Sequence, residues 1–277
     1  MRLIRVFPSR TKATPDDELA RFGPPGLFDE ADEVHVSVTF TWDRPAAERL
    51  ADQWRAVAPV KVGGVAYDDD SLEFIPGRYV KQGYTVTSRG CPRRCWFCGV
   101  WKKWPTVNPM PIHDGWNILD DNLLAAPRPH VEAVFAMLRR QKRRVEFSGG
   151  LEARALEDYQ VELLAGLKPR PNMFFAYDPG DEFETLEHAA RRLLAAGFTA
   201  RSHRLRCYVM IGYPKDTFEL AEQRLRQMLD IGFTPFAMLW KPDDKIKSQE
   251  KWRPGPEWRT FQRRWARRAI IHARQAA

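Results

Sequence analysis

The chain has 277 residues, is 44% hydrophobic and 29% charged, and carries a formal net charge of +8 with four cysteines. That length can bury a full core without disulfides, and the balance is ordinary for a soluble globular protein. No apolar run approaches the roughly 20 residues of a membrane helix, so no membrane partner is expected. The opening MRLIRVFPSRTK is broken by arginines and lacks a signal-peptide core. With three of the four cysteines clustered, a reducing cytoplasm is the expected location. The basicity is uneven. From Lys245 onward ten Lys or Arg stand against two acids, a surplus equal to the whole net charge.

Leu3 to Phe7 is a short strand candidate, and a polar lead-in with Pro15, Pro24 and Pro25 follows. A β-α-β unit comes next. Its first strand is predicted over His35 to Phe40, its helix over Pro45 to Val57 with Asp43 as cap, and its second strand over Val60 to Val62, ending at Gly63-Gly64. Residues 1–79 therefore read as an N-terminal extension with a Rossmann-like fragment.

From Gly83 onward, strand and helix signals alternate. Strands are predicted over Tyr84 to Thr87, Trp116 to Leu119, Val145 to Phe147, Met173 to Tyr177, Leu205 to Ile211 and Pro235 to Leu239. Helices are predicted over Arg128 to Lys142, Leu156 to Leu167, Glu184 to Ala196 and Thr217 to Ile231. This is an α/β pattern with a mostly parallel sheet over residues 80–242. Periodicity alone does not separate a barrel from a doubly wound sheet. In either, sites form at the C-terminal ends of the strands. Those ends carry the clustered cysteines, Asp120-Asp121-Asn122, Ser148-Gly149-Gly150, Asp178 and Gly212.

Cys91, Cys95 and Cys98 lie in the run YTVTSRGCPRRCWFCGVWKKWP. Thiolates at these spacings converge on one inorganic centre only if the backbone wraps around it. Gly90 permits positive φ and Pro92 fixes φ, and both favour such a wrap. Zinc would need further ligands, yet Cys207 is more than a hundred residues away and His113 has no partner at the usual spacing. A [4Fe–4S] cluster held by three cysteines keeps one iron free for a small molecule. The C-x-x-x-C-x-aromatic-C pattern, with Phe97 as the aromatic, resembles the signature of the radical S-adenosylmethionine (radical SAM) enzymes.

The resemblance implies a partial (β/α)6 barrel over residues 80–242 and a [4Fe–4S] cluster on Cys91, Cys95 and Cys98. It implies S-adenosylmethionine on the free iron, reductive cleavage of that cofactor, and hydrogen abstraction from an unidentified substrate. An electron donor such as flavodoxin or ferredoxin follows from the same chemistry. Cofactor contacts are expected at Phe97, at Ser148 and at Gly149-Gly150, where the backbone would approach the methionine moiety. The run Gly149-Gly150-Leu151-Glu152 is one residue longer and one strand later than the family's usual motif. Arg154 can pair with the cofactor carboxylate or simply sit on a solvated helix start. Asp178 can accept from the ribose diol or build an Asp-Pro-Gly turn. Gly212 can face the adenine or terminate a strand. Asp120 and Asp121 are catalytic candidates near substrate or sulfonium, or helix-capping acids. Cys207 is an inert core residue or a radical-quenching thiol. The β-α-β unit also resembles a fragment of the cobalamin-binding domain of one radical SAM branch, but no D-x-H-x-x-G motif is present and cobalamin is not expected.

Residues 243–277 read as a basic aromatic tail. Trp258, Phe261 and Trp265 follow i, i+3, i+7, which predicts a helix with an aromatic face docked onto the barrel. Arg263, Arg264, Arg267, Arg268 and Arg274 would lie largely outside. They fit phosphate binding, to a nucleotide or nucleic-acid substrate, or a solvated face. The expected function is a radical SAM enzyme. The alternative is a zinc- or cluster-bearing nucleic-acid-binding protein acting through its tail.

Overall fold

The computed structural model describes residues 1–67, 74–242 and 253–266. They divide into two compact units, one running to Thr85 and the other starting at Val86. The division therefore falls at Thr85 instead of at residue 79.

In the first unit, β1 (Leu3–Val6), β2 (Ala20–Arg21), β3 (Glu33–Ser37) and β4 (Val60–Gly63) form a wholly parallel sheet in the order β2-β1-β3-β4. Val34 and Val36 alternate onto one face, where Ala47, Ala51 and Trp54 of α1 (Arg44–Trp54) cover them. Trp54 is fully buried, and its indole N–H donates to the Gly23 carbonyl at 2.9 Å. Arg5 points to the other face, where it donates to the carbonyls of Gly77 and Arg78 and pairs with Asp17. The expected β-α-β unit is thus present as β3-α1-β4. Its details differ. β3 begins and ends earlier because the chain turns into a 3-10 helix at Thr41–Asp43. Asp43 occupies the N-cap position without capping, since its carboxylate instead accepts from the Ser9 hydroxyl at 2.6 Å.

The short strand β5 (Tyr84–Thr85) closes the first unit. Where a continuous strand to Thr87 was expected, the chain breaks, and β6 (Ser88–Arg89) pairs antiparallel with β7 (Asn108–Pro109). This pairing ties the two ends of the cysteine loop together, with the one-turn helix α2 (Val100–Lys103) between them.

The second unit is built on β8 (Asn117–Ile118), β9 (Glu146–Leu151), β10 (Asn172–Tyr177), β11 (Leu205–Ile211) and β12 (Thr234–Leu239). Each is parallel to the next, in chain order. The crossovers are α3 (Arg128–Arg139), α4 (Asp158–Gly166), α5 (Phe183–Ala195) and α6 (Phe218–Asp230). Their apolar stripes carry Phe135, Leu164, Leu193 and Leu225 into one core with Phe147, Phe175, Val209 and Ile211 of the strands. Each such side chain contributes about 1.5–3 kcal/mol when taken from water. An α/β architecture with parallel sheets is therefore the observed fold.

The tail is not a separate region. α7 (Pro256–Ala266) belongs to the second unit and buries Trp258, Phe261 and Trp265 against its core. Phe218 of α6 packs on Trp258 and Phe261 at 4.4 and 5.3 Å. Arg259, Arg263 and Arg264 are exposed, whereas Arg267, Arg268 and Arg274 lie outside the described residues. Among the described residues no helix is long and apolar enough to cross a membrane.

Candidate metal centre at the strand ends

Gly90 opens the cysteine loop at φ +107°, and a Cβ there would stand 2.0 Å from the Thr106 carbonyl oxygen. Only glycine admits that approach. The Cys91 N–H donates to the Trp104 carbonyl at 3.1 Å, closing the loop on itself. The Cys95 carbonyl accepts twice, from the Cys98 N–H at 3.2 Å and from the Trp101 indole at 2.9 Å. The result is a tight turn that leaves all three thiols partly exposed.

Sulfur chemistry within the loop is uneven. Burial pushes the Cys95 thiol up to about 11, against the pull of Arg93, and the neighbouring Cys98 adds to the rise. Burial also raises Cys98, although the Val100 N–H bonds to it and lowers it, and a charge on Cys91 raises it further. Cys91 Sγ receives the side-chain amide of Asn122 at 3.3 Å. The three thiols thus influence one another, yet among the described residues no three Cys, His, Asp or Glu side chains meet closely enough to grip one metal ion.

The loop is fastened to the C-terminal end of every strand of this unit's parallel sheet. After β8, Asp121 accepts from the Gly90 N–H at 2.8 Å. After β9, Glu152 accepts from Arg93 at 2.9 Å, and after β10, Asp181 accepts from the same guanidinium at 2.6 Å. After β11 and β12, Tyr213 and Trp240 pack on Trp96, with ring centroids 6.4 and 6.0 Å away. Burial pulls the Arg93 pKa down, but the Asp181 hydrogen bond and the Glu152 charge outweigh it, and Arg93 is held cationic. No local spacing announces these contacts. Sequence reading missed Arg93 and Asp181, and met Glu152 only as the end of the Gly149-Gly150-Leu151-Glu152 run, because the partners lie far apart in the chain.

The expected site residues fall into two groups. Phe97 is half-buried and meets Trp96 edge to face at 5.5 Å, inside the loop. Asp178 lies close enough to Cys95 and Cys98 to raise both. Burial pushes its own carboxyl up to about 7, and Asp181 adds to the rise. The turn reading is also visible there, since the Asp178 N–H donates to Asp181 Oδ2 at 2.7 Å. Asp121 belongs with the loop. Gly150 stands at φ +104° on β9, with open space where a side chain would stand.

The other group is committed to packing. A Cβ on Gly149 would come within 2.5 Å of the Asp120 carbonyl oxygen, so this glycine is required by the neighbouring strand end. Ser148 donates its hydroxyl to Asn117 Oδ1. The side-chain direction of Gly212 is filled by Leu239 and Trp258, closing it to a ligand. Arg154 is exposed on a 3-10 turn, with its N–H capped by Glu152 at 3.2 Å. Asp120 is 1% exposed, with its carboxylate engaged by Thr87 and Ser88. Cys207 is fully buried in the apolar core with Phe175 and Val209, and burial raises its thiol well above the usual range. No protein-family model matches the chain, and no curated protein matches it either.

Proposed function

We propose that this chain is a radical SAM enzyme, with a [4Fe–4S] cluster held by Cys91, Cys95 and Cys98 and S-adenosylmethionine beside it. The observation that carries this reading is the attachment of one three-cysteine loop to the C-terminal ends of β8 through β12, where β/α folds assemble their sites. In a cubane cluster each cysteine binds a different iron, so its sulfurs stand apart instead of meeting at one atom. Three thiols carried on one loop supply that donor set. When bound, the cluster supplies the electron that cleaves the cofactor reductively and begins hydrogen abstraction from the substrate.

The chain's residues bind and orient. A partial (β/α)6 barrel, open and curved, is the form of such a parallel sheet that best suits this mouth. Gly150 leaves open space at the end of β9, and Asp178 presents a carboxylate suited to a ribose diol. Phe97 and Trp96, with Tyr213 and Trp240, wall the site with aromatic surface that excludes water. A nucleotide or nucleic acid is the substrate class favoured by exposed Arg259, Arg263 and Arg264. Exposed Arg94 and Lys102 on the cysteine loop suit an acidic electron donor such as flavodoxin or ferredoxin, in a cytoplasmic setting.

The test uses anaerobically reconstituted protein. Iron and sulfide per chain, the visible spectrum, and 5′-deoxyadenosine formed from S-adenosylmethionine after dithionite reduction are measured. Cleavage that is lost in Cys95→Ala supports the reading. Tightly bound zinc, or a cluster that never cleaves the cofactor, sinks it and favours a nucleic-acid-binding protein acting through its tail.

A further inference from the structure

Three consecutive residues after β8 grip five consecutive residues at the entrance of the cysteine loop, in register. Asp120 accepts from the Thr87 N–H at 2.7 Å, and from the hydroxyls of Thr87 and Ser88 at 2.6 Å each. Asp121 accepts from the Gly90 N–H at 2.8 Å and from Arg89 at 3.4 Å. Asn122 donates its amide to Cys91 Sγ at 3.3 Å. Residue by residue, 120 holds 87 and 88, 121 holds 89 and 90, and 122 holds 91.

The energetics show that this is a fixed arrangement. Asp120, Thr87 and Ser88 are all essentially inaccessible to water. Burial raises the Asp120 pKa even though three donors face it. A carboxylate so placed is tolerated only with its donors in position, which locks the 87–88 peptide. Asn122 is 3% exposed, and its Oδ1 is buried with no hydrogen-bond partner among the described residues. Among the described residues its one side-chain hydrogen bond goes to the sulfur. A thiolate only accepts, so it calls for an amide N–H, and the amide has no competing bond to turn it away.

We propose that Asp120-Asp121-Asn122 is a clamp that sets the position of Cys91. Resting on the cluster reading above, Asn122 is the positioning residue that hydrogen-bonds a ligating sulfur and raises the cluster's reduction potential. Each N–H directed at a ligating sulfur stabilises the more negative, reduced state. Asp120 and Asp121 act further back, through the backbone, and touch neither cofactor nor substrate.

The experiment compares the full chain with Asn122→Ala, Asn122→Ser and Asp121→Ala, with folding checked by circular dichroism. After anaerobic reconstitution and without S-adenosylmethionine, the midpoint potential is read by dithionite titration followed by electron paramagnetic resonance. Asn122→Ala is expected to keep its iron and lower the reduced-to-oxidised ratio at the parent midpoint about tenfold, or about 59 mV for one electron. Asn122→Ser, which retains a donor, is expected to recover part of that shift. An Asn122→Ala protein with the parent's iron content and midpoint overturns the role of Asn122. Hydrogen exchange on the metal-free chain tests the clamp without any cluster. Asp121→Ala is expected to speed exchange at the Gly90 amide about tenfold, and unchanged exchange overturns the clamp. If the parent chain takes up no iron, the cluster reading fails, and the exchange result still decides the clamp. If Asn122→Ala fails to fold, Asn122→Ser against the parent decides the potential: a midpoint below the parent's by part of that shift is the expected result, and a midpoint equal to the parent's overturns the role of Asn122.

Discussion

Arg93 donates to Asp181 at 2.6 Å across 88 residues of sequence, joining the middle of the cysteine loop to the turn after β10. The carboxylate is 8% exposed, and the second arm of the guanidinium reaches Glu152. Removing the cation leaves two carboxylates facing each other with little water. Arg93→Ala is therefore expected to lower stability by about 3 kcal/mol, at the low end for a broken buried pair because Arg93 is itself 25% exposed. Arg93→Lys, a point charge in place of a fork, should recover only part. Denaturant unfolding of the metal-free chain measures both. Equal stability of Arg93→Ala and parent would show that the pair holds nothing.

Asp178 supplies a pH signature. Its folded-state pKa, pushed up to about 7 by burial, lies above its ordinary value. Between those two values the folded chain keeps a proton that the unfolded chain has released. The group's contribution is complete below about pH 4 and is lost as pH rises through 7. Its size is on the order of 3 kcal/mol. Asp178→Asn should flatten this fall in stability, as followed by thermal melts of the metal-free chain from pH 5 to 8. A slope unchanged by the substitution would count against the burial assigned to the carboxyl.

Gly149 and Gly150 should respond differently to alanine. At Gly149 the new methyl collides with the backbone of Leu119 and Asp120, which has no room to yield. A loss of about 3 kcal/mol or more is expected. At Gly150 the space is open and only the positive φ is strained, so about 1 kcal/mol is expected. The order of the two denaturant midpoints is the readout.

The two faces of α7 should separate in the same way. Trp265 is 1% exposed, and Trp265→Ala is expected to cost about 3–5 kcal/mol. Reversing the exposed Arg263 and Arg264 to Glu should leave stability within about 0.5 kcal/mol. If those arginines serve a phosphate-bearing substrate, the double reversal will weaken binding to a mixed-sequence oligonucleotide and flatten its salt dependence. Binding with an unchanged salt slope would remove them from any such role.

Much of this architecture was legible because burial imposes a period. On β11, Leu205, Cys207, Val209 and Ile211 go inward while Arg206, Tyr208 and Met210 do not. The helices α3, α5 and α6 show the matching period of the helix. The tail's aromatic spacing also gave its buried face correctly, yet the compositional shift at Lys245 suggested a separate region. Charge records what the outer face carries, whereas Trp258, Phe261 and Trp265 decide where the helix goes. The centre was legible only as far as its cysteines. Their spacing is local, whereas Arg93 finds Glu152 and Asp181 through tertiary folding, and no short pattern encodes that. Asp120 shows the converse. An acid at a strand end invites a chemical reading, but only coordinates reveal that three donors already occupy it.

The attachment of the cysteine loop to five strand ends has a consequence for biosynthesis. The loop leaves the ribosome before any of those anchors exist. Trp240, the last of them, is made on the order of ten seconds after Cys98 at usual elongation rates. Until then the loop has only part of its attachments, those to Asp121, Glu152 and Asp181. If the loop holds the proposed cluster, its delivery should follow completion of the sheet, and truncation before Trp240 should lower the iron bound per chain.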